Sequence, residues 1–332
     1  MTKAFSRLSP LEYGWLVPAV VLTLASTVLS LGLVPHADGL LPALRILPAW
    51  MAGGVLAGVI ALFVTMVLER EASPIGAIAG LLRTERKRIA ATLGILLIAG
   101  LNMIAFMWTK TLLNFLVPFW ADPVLARLDA LLFLGNDPWR FLEPLAFPAA
   151  GKIYHPVWFV TMIVLLVCAA WARPSPRRSA VLASYFILWS LVGPLVHCLL
   201  PAGGPVFYEA LGYGPRFADI VPTPETQQVA GYLWQTYASG SFGAGSGISA
   251  MPSMHVTMAA WMVIAAGAVA PLLRTPVLLI SALVAVLSVA LGWHYALDGI
   301  VGGLLALLLY RALLALFSRE RARPVVAVGS AA

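Results

Sequence analysis

Residues 276–317 read PVLLISALVAVLSVALGWHYALDGIVGGLLALLLYRALLALF, two long apolar runs joined by a short polar segment. Each run has about 20 residues, the length at which a helix crosses the hydrocarbon core of a bilayer. The joining segment, Trp293-His294-Tyr295-Ala296-Leu297-Asp298, carries a histidine and an aspartate. Ionisable side chains at the edge of a membrane span are costly, so they mark candidate functional positions.

The rest of the chain has the same apolar character. Of its 332 residues 61% are hydrophobic and only 11% are charged, and the mean hydropathy is +0.92. This composition excludes an ordinary soluble domain and predicts an all-α, polytopic membrane bundle of about eight transmembrane helices with a six-helix core. The predicted spans are residues 14–35, 48–68, 89–116, 153–172, 179–200, 251–272, 276–294 and 298–317.

The distribution of basic residues predicts the orientation in the membrane. With both termini in the cytoplasm, 15 of the 21 lysines and arginines lie on the cytoplasmic side, as the positive-inside rule requires. Topology therefore explains the net charge of +7, and we predict no nucleic-acid partner. The long connections 117–152 and 201–250 then lie outside, the first as an interfacial helix and the second as a lid or substrate-binding element. The cytoplasmic basic residues are Lys3, Arg7, Arg70, Arg83, Arg86, Lys87, Arg88, Arg173, Arg177, Arg178, Arg274, Arg311, Arg319, Arg321 and Arg323.

A second polar motif, Pro252-Ser253-Met254-His255, stands at the start of the sixth predicted span. The predicted topology places His255, His294 and Asp298 on the same face of the membrane. In such a group one imidazole attacks, the carboxylate fixes its tautomer, and the second imidazole protonates the leaving group. A phosphoryl group is the natural electrophile, and the Ser253 hydroxyl and the Gly-rich segment 240–247 offer donors for its oxygens.

The segments 249–255 and 292–299 resemble the second and third signatures of the type-2 phosphatidic acid phosphatase superfamily. The His-Tyr-x-x-Asp form is most similar to the branch that contains fungal inositol phosphorylceramide synthase and its bacterial relatives. The resemblance implies that His294 is the nucleophile and forms a phosphohistidine, that Asp298 orients it, and that His255 is the general acid. It also implies metal-independent chemistry without a cofactor.

The cation that binds phosphate is not identified by these motifs. The superfamily's Ser-Arg pair is replaced by Leu287-Ser288, and a Lys-x6-Arg-Pro signature is missing. The segment 203–208 is only loosely similar to the first motif of the synthase branch. Lys110 is a further candidate cation, and His155 and His197 are candidates for the edge of the pocket. The candidate substrate-binding residues are Ser253, Arg216, Gly204 and Tyr208.

These observations predict a lipid phosphatase or phosphotransferase of the extracytoplasmic face, in a bacterial inner membrane and in lipid metabolism. Its substrate is a lipid phosphate or phospholipid, and the acceptor is water or an alcohol such as inositol or a sugar. Two other classes stay open: a metal- or haem-binding membrane protein, and a transporter or scaffold with a degenerate enzyme core. The predicted organisation is two N-terminal helices with a basic loop (1–88), the phosphatase-like core (89–318) and a cytoplasmic tail (319–332).

Overall fold

The computed structural model describes residues 10–33 and 41–322, and within these ranges the chain is helical with no β-strand. The predicted all-α fold is confirmed. Residues 1–9, 34–40 and 323–332, which include Lys3, Arg7 and Arg323 and most of the predicted tail, lie outside the described ranges. In chain order the α-helices are α1 (Pro10–Leu33), α2 (Leu41–Leu44), α3 (Ile46–Leu68), α4 (Pro74–Thr84), α5 (Arg86–Leu116), α6 (Asp122–Leu132), α7 (Trp139–Leu142), α8 (Ala150–Trp171), α9 (Pro176–Ile187), α10 (Gly193–Leu199), α11 (Pro224–Ala238), α12 (Met254–Val269), α13 (Arg274–Ala290) and α14 (Ala296–Ala322).

The described part of the chain contains seven helical segments that are long and apolar enough to cross a membrane. The sixth of the eight predicted spans is α12, which is apolar but has only 16 residues. At 1.5 Å per residue it is about 24 Å long, less than the thickness of the hydrocarbon core. The chain is an integral membrane protein built as a polytopic helical bundle.

One span changes its helical register within the membrane. Between α9 and α10 the residues Leu188–Val192 form a π-helical turn. Pro194 follows one residue after this turn, and because proline has no N–H it cannot donate the hydrogen bond that a regular α-helix needs here. Within the same turn Ser190 Oγ accepts a hydrogen bond of 2.6 Å from Asn102 Nδ2, which ties this span to α5.

The short helix α12 lies at the centre of the bundle and packs against α8, α9, α13 and α14. Its Trp261 is fully buried and donates Nε1–H to the carbonyl of Val181 at 3.0 Å. Small residues on α14 allow a close approach: a Cβ at Gly302 would lie only 2.1 Å from Thr257 Oγ1, and one at Gly299 would lie 3.1 Å from Val256. The helices that carry the two sequence motifs are therefore in direct contact.

The two N-terminal spans belong to the same bundle. Helix α1 packs against α5 and α9, and α3 packs against α5 and α8. Trp50 of α3 donates its indole N–H to the carbonyl of Leu96 at 2.9 Å. On α1, Trp15 is buried against Phe186 with a ring distance of 6.4 Å.

The two ends of the bundle differ in charge. At one end, which we call the basic end, Arg178 forms an ion pair with Glu12 and donates to the carbonyl of Ala169. Arg88 there covers the ring of Trp171 and donates to its carbonyl. The opposite end, which we call the motif end, carries the connections 117–149, 200–253 and 291–295.

Candidate active site

Both sequence motifs lie at the motif end. Ser253 caps α12, and its buried hydroxyl accepts the N–H of Val256 at 3.3 Å. The sequence placed His294 at the end of the seventh span, but α13 ends at Ala290 and α14 begins at Ala296. Gly292 has φ +74°, a conformation that turns the chain out of the helix. His294 therefore lies in the connection, and Asp298 lies in the first turn of α14.

The imidazole of His294 is held through one nitrogen. Its Nδ1 lies 2.9 Å from the carbonyl oxygen of Ala250 and 3.6 Å from Asp298 Oδ2. The same carboxylate oxygen accepts the N–H of Tyr295 at 2.9 Å. A carbonyl only accepts hydrogen bonds, so the contact requires a proton on Nδ1, and in the neutral ring Nε2 then carries the free lone pair. This is the tautomer in which Nε2 acts as a nucleophile.

His255 is in contact with a third histidine. Its Nε2 lies 3.1 Å from Nδ1 of His155 on α8. The ring of His255 packs against those of Trp158 at 4.5 Å and Tyr154 at 4.9 Å, and it lies 6.2 Å from the ring of His294. A nitrogen–nitrogen contact of this length requires a proton between the two rings, so the protonation states of His155 and His255 are linked.

These histidines line a cavity of 430 Å³. Its wall is mostly aromatic and aliphatic, and Lys110 of α5 is the one lysine or arginine on it, within the part of the chain that the structure describes. A mainly apolar pocket with a few convergent polar groups is the usual form of a small-molecule site. The lining residues include Met103, Phe106, Met107, Lys110, His155, Trp158, Phe159, Trp189, Gly203, Phe207, Val229, Leu233, Gly245, Gly247, Ser249, His255, Trp293 and His294.

The comparison with protein families identifies the superfamily of the chain. A family model described as PAP2 superfamily matches residues 124–312, more than half of the chain and both motifs. The chain belongs to the PAP2 superfamily. Among curated proteins and among solved structures no match was found. Members of the PAP2 superfamily are generally phosphatases or phosphotransferases, so this chain is a membrane protein of the phosphatase type.

Two buried aspartates of α6 accept hydrogen bonds from the segments that carry or adjoin the PAP2 motifs. The sequence alone did not identify this role. Asp122 accepts the N–H groups of Gly203 and Gly204 and the hydroxyl of Tyr295, at 2.8–2.9 Å. Burial is the main reason why the pKa of Asp122 is raised, and these hydrogen bonds oppose the rise. Asp122 thus joins the segment after α10 to the segment that carries His294.

Asp129 lies two turns further along α6 and holds the start of α14. It accepts the N–H groups of Ala296 and Leu297 at 2.7 and 2.8 Å, which stabilises the first turn that contains Asp298. Burial raises the pKa of Asp129 to about 6, against the lowering effect of these two bonds. The seven-residue spacing of Asp122 and Asp129 places them on one helix face, and this spacing was visible in the sequence.

A buried polar network fixes Ile248 and Ser249, which follow the Gly-rich segment and border the cavity. Asn114 of α5 donates to the carbonyl of Ile248 at 2.6 Å and accepts its N–H at 2.5 Å. His197 contacts Ser249 Oγ through Nδ1 at 3.1 Å. His197 therefore lies behind the cavity wall, whereas His155 is on it.

None of the four predicted substrate-binding residues lines the cavity. The hydroxyl of Ser253 is fully buried as the cap of α12, and Tyr208 packs between Tyr213 and Phe217. Arg216 forms a two-pronged ion pair with Asp137 at 2.7 and 3.3 Å, and this pairing raises its pKa. A guanidinium committed in this way is not free to serve a substrate in the cavity.

Gly204, the fourth predicted substrate-binding residue, lies where the local packing leaves no room for a side chain. Its φ is +96°, and a Cβ there would lie 2.3 Å from the carbonyl oxygen of Trp293. Both the backbone conformation and the contact exclude a larger residue. Gly204 therefore permits the loop after α10 to touch the connection that carries His294.

We expect Gly204→Ala to destabilise the protein by about 2 kcal/mol or more, because a positive φ is strained for alanine and the added methyl group meets the Trp293 carbonyl. Thermal unfolding in detergent measures this loss. Gly212→Ala is the matched control, since Gly212 has φ +86° but open space around its Cβ position. Equal losses in the two variants would contradict the close approach at Gly204.

The metal alternative requires several ligating side chains in one place. In residues 10–33 and 41–322 there is no group of three or more His, Cys, Asp or Glu side chains arranged to hold a metal ion. His155 and His255 contact each other through ring nitrogens, and His294 contacts the carbonyl of Ala250.

Proposed function

We propose that this PAP2 protein is a lipid phosphatase or phosphotransferase that cleaves a phosphoester or phosphodiester through a phosphohistidine on His294. The observation that carries the proposal is the placement of His294. Its Nδ1 is held by the Ala250 carbonyl and lies next to Asp298, and its ring borders the cavity with His255. This is the arrangement of a nucleophile with an orienting partner and a nearby acid.

The reaction has two steps in this proposal. In the first, His294 Nε2 forms a bond to phosphorus while the bond to the leaving oxygen breaks, and His255 gives that oxygen a proton. Asp298 and the Ala250 carbonyl stabilise the positive charge on the His294 ring. In the second, His255 takes a proton from water or an alcohol, whose oxygen attacks phosphorus and releases His294. No metal is needed for either step.

The cavity wall supports an amphiphilic substrate. Phe106, Phe159 and Met103 form an apolar surface next to the histidines, suited to a hydrocarbon chain. The motif end lies opposite Arg88 and Arg178, which under the positive-inside rule supports an extracytoplasmic site in a bacterial inner membrane. Helix α5 contributes Lys110 and Asn114 to the site, which supports a catalytic core that begins near residue 89.

An activity screen decides whether water or an alcohol accepts the phosphoryl group. Purified protein is incubated with phosphatidic acid and with a phosphodiester phospholipid, each with and without inositol, and released phosphate and new lipid products are measured. Similarity to the inositol phosphorylceramide synthase branch leads us to expect an alcohol to be accepted in competition with water. Failure to cleave any lipid phosphate or phospholipid would refute the proposed function.

His155 gives a prediction of its own. We expect His155→Phe to lower kcat by about 10- to 100-fold and to move the pH optimum, because His255 loses the neighbour that shares its proton. KM for the lipid is expected to change little. His155→Asn, whose amide oxygen can accept the same hydrogen bond, is expected to recover part of kcat. An unchanged pH profile in His155→Phe would show that the contact is structural only.

A further inference from the structure

The segment between α3 and α5 forms a short amphipathic helix at the basic end. This helix, α4, begins with proline at its first position, where a missing N–H costs nothing, and it has no buried residue. Its apolar side chains Ile75, Ile78 and Leu82 are spaced i, i+3 and i+7, which places them on one helix face. They are 84%, 40% and 53% exposed. The apolar face of α4 is therefore open.

The neighbouring spans fix the position of α4 relative to the membrane. Helix α3 ends at Leu68 and α5 begins at Arg86, and both helices are long and apolar enough to cross a bilayer. They pack against each other, and only the segment 69–73 and Glu85 link them to α4. Both ends of α4 are therefore held near the same membrane surface. A helix at this level with an open apolar face has the form of an interfacial helix, which lies in the membrane plane.

Basic side chains stand at the C-terminal end of α4. Arg83, Arg86 and Lys87 are exposed, and none of them forms an ion pair with a described residue. The acid between them in the sequence, Glu85, lies 3.9 Å from Arg88 instead. Cations beside an interfacial apolar face attract anionic lipid headgroups.

We propose that α4 lies in the plane of the membrane at the basic end and binds anionic phospholipids there. Its apolar face contacts the acyl chains, and Arg83, Arg86 and Lys87 contact the headgroup phosphates. Within residues 69–88 five basic side chains outnumber three acidic ones, which favours an anionic lipid over a zwitterionic one. This surface lies at the opposite end of the bundle from the candidate active site and does not depend on the proposed function.

The placement of α4 is tested with a fluorescent probe on each of its two faces. The native cysteines are replaced (Cys168→Ala, Cys198→Ala), and Ile78→Cys is labelled with a nitrobenzoxadiazole dye in phosphatidylcholine nanodiscs that contain a spin-labelled phosphatidylcholine as quencher. Gly80→Cys is the matched control, because it lies on the opposite face with open space around its Cβ position. We expect quenching to be about threefold stronger at position 78 than at position 80.

The headgroup preference is tested by comparing two quenchers. Phosphatidylglycerol and phosphatidylcholine, spin-labelled at the same acyl carbon, are titrated against the dye at position 78. We expect the anionic lipid to bind the parent about 3- to 10-fold more tightly. The neutral triple variant, Arg83→Gln with Arg86→Gln and Lys87→Gln, is expected to lose this preference. The charged triple variant, Arg83→Lys with Arg86→Lys and Lys87→Arg, is expected to keep it.

Equal quenching at positions 78 and 80 would overturn the interfacial placement. Quenching at neither position would also overturn it, and is the result expected if a second copy of the chain or another protein covers this face. Equal affinity of the parent for the two lipids, or a preference that survives in the neutral triple variant, would overturn the role of the three cations. Lipid preference in a protein without phosphatase activity would refute only the proposed function.

Discussion

Replacing His294 with alanine is expected to lower kcat for a lipid phosphate by about 10⁴-fold or more, because the substitution removes the proposed nucleophile. The ring lies in the connection between α13 and α14 and is held there through Nδ1, so its loss removes the nucleophile and its contacts with Ala250 and Asp298 but leaves the helices in place. The measurement is release of phosphate from phosphatidic acid by purified parent and variant.

The control for His294→Ala is structural integrity. The variant should keep the Tm and the elution volume of the parent, because Asp298 retains its bond to the N–H of Tyr295 and Asp129 still caps α14. Activity within about tenfold of the parent in a folded His294→Ala protein would contradict the assignment of the nucleophile.

His255→Ala is expected to lower kcat by about 10²- to 10⁴-fold, the usual contribution of a general acid. The loss should depend on the leaving group. An alkoxide leaving from a lipid phosphate needs a proton, whereas 4-nitrophenolate leaves without one. We therefore expect a much smaller loss, about tenfold or less, when the substrate is 4-nitrophenyl phosphate.

This comparison separates an acid from a packing residue. His255 packs against Trp158 and Tyr154, and a collapse of that packing would impair both substrates equally. An equal loss with the two substrates would therefore contradict the role of His255 as the acid. His255→Asn, which keeps a polar side chain of similar size, is a second variant for the same comparison.

Hydropathy was enough to predict the membrane bundle. Apolar runs of spanning length form helices wherever the structure describes them, because a backbone in lipid must satisfy its own hydrogen bonds. The sequence could not distinguish the short helix α12 from a full span. The apolar run continues beyond Val269 to Leu273, but the helix itself ends at Val269, and Pro271–Leu273 form the turn to α13.

Only part of the candidate site could be predicted from the sequence. The motifs placed His255, His294 and Asp298 at one end of the bundle because each lies in a short segment next to an apolar run. Asp122 and Asp129 act through contacts with residues more than 80 positions away, and a single sequence contains no record of such pairs.

The predicted role of Arg216 shows the same limit. An arginine in a Gly-rich loop is a reasonable candidate for phosphate, but its partner Asp137 lies in another loop and reaches it only in the folded chain. Lys110, which does border the cavity, was less conspicuous because it stands within an apolar helix, near its outer end. Which face of that helix points inward depends on packing against α1, α3 and α8.

The most direct test of the account is to trap the phosphoenzyme. Purified protein is mixed with phosphatidic acid labelled with ³²P, quenched with base and separated by electrophoresis. We predict label on the protein that survives base, is lost in acid and maps to the peptide containing His294. The label should be missing in His294→Ala and should accumulate when His255→Ala reacts with a labelled aryl phosphate. Label on another residue, or cleavage of the lipid by the parent without any labelled protein under these conditions, would contradict a phosphohistidine at His294.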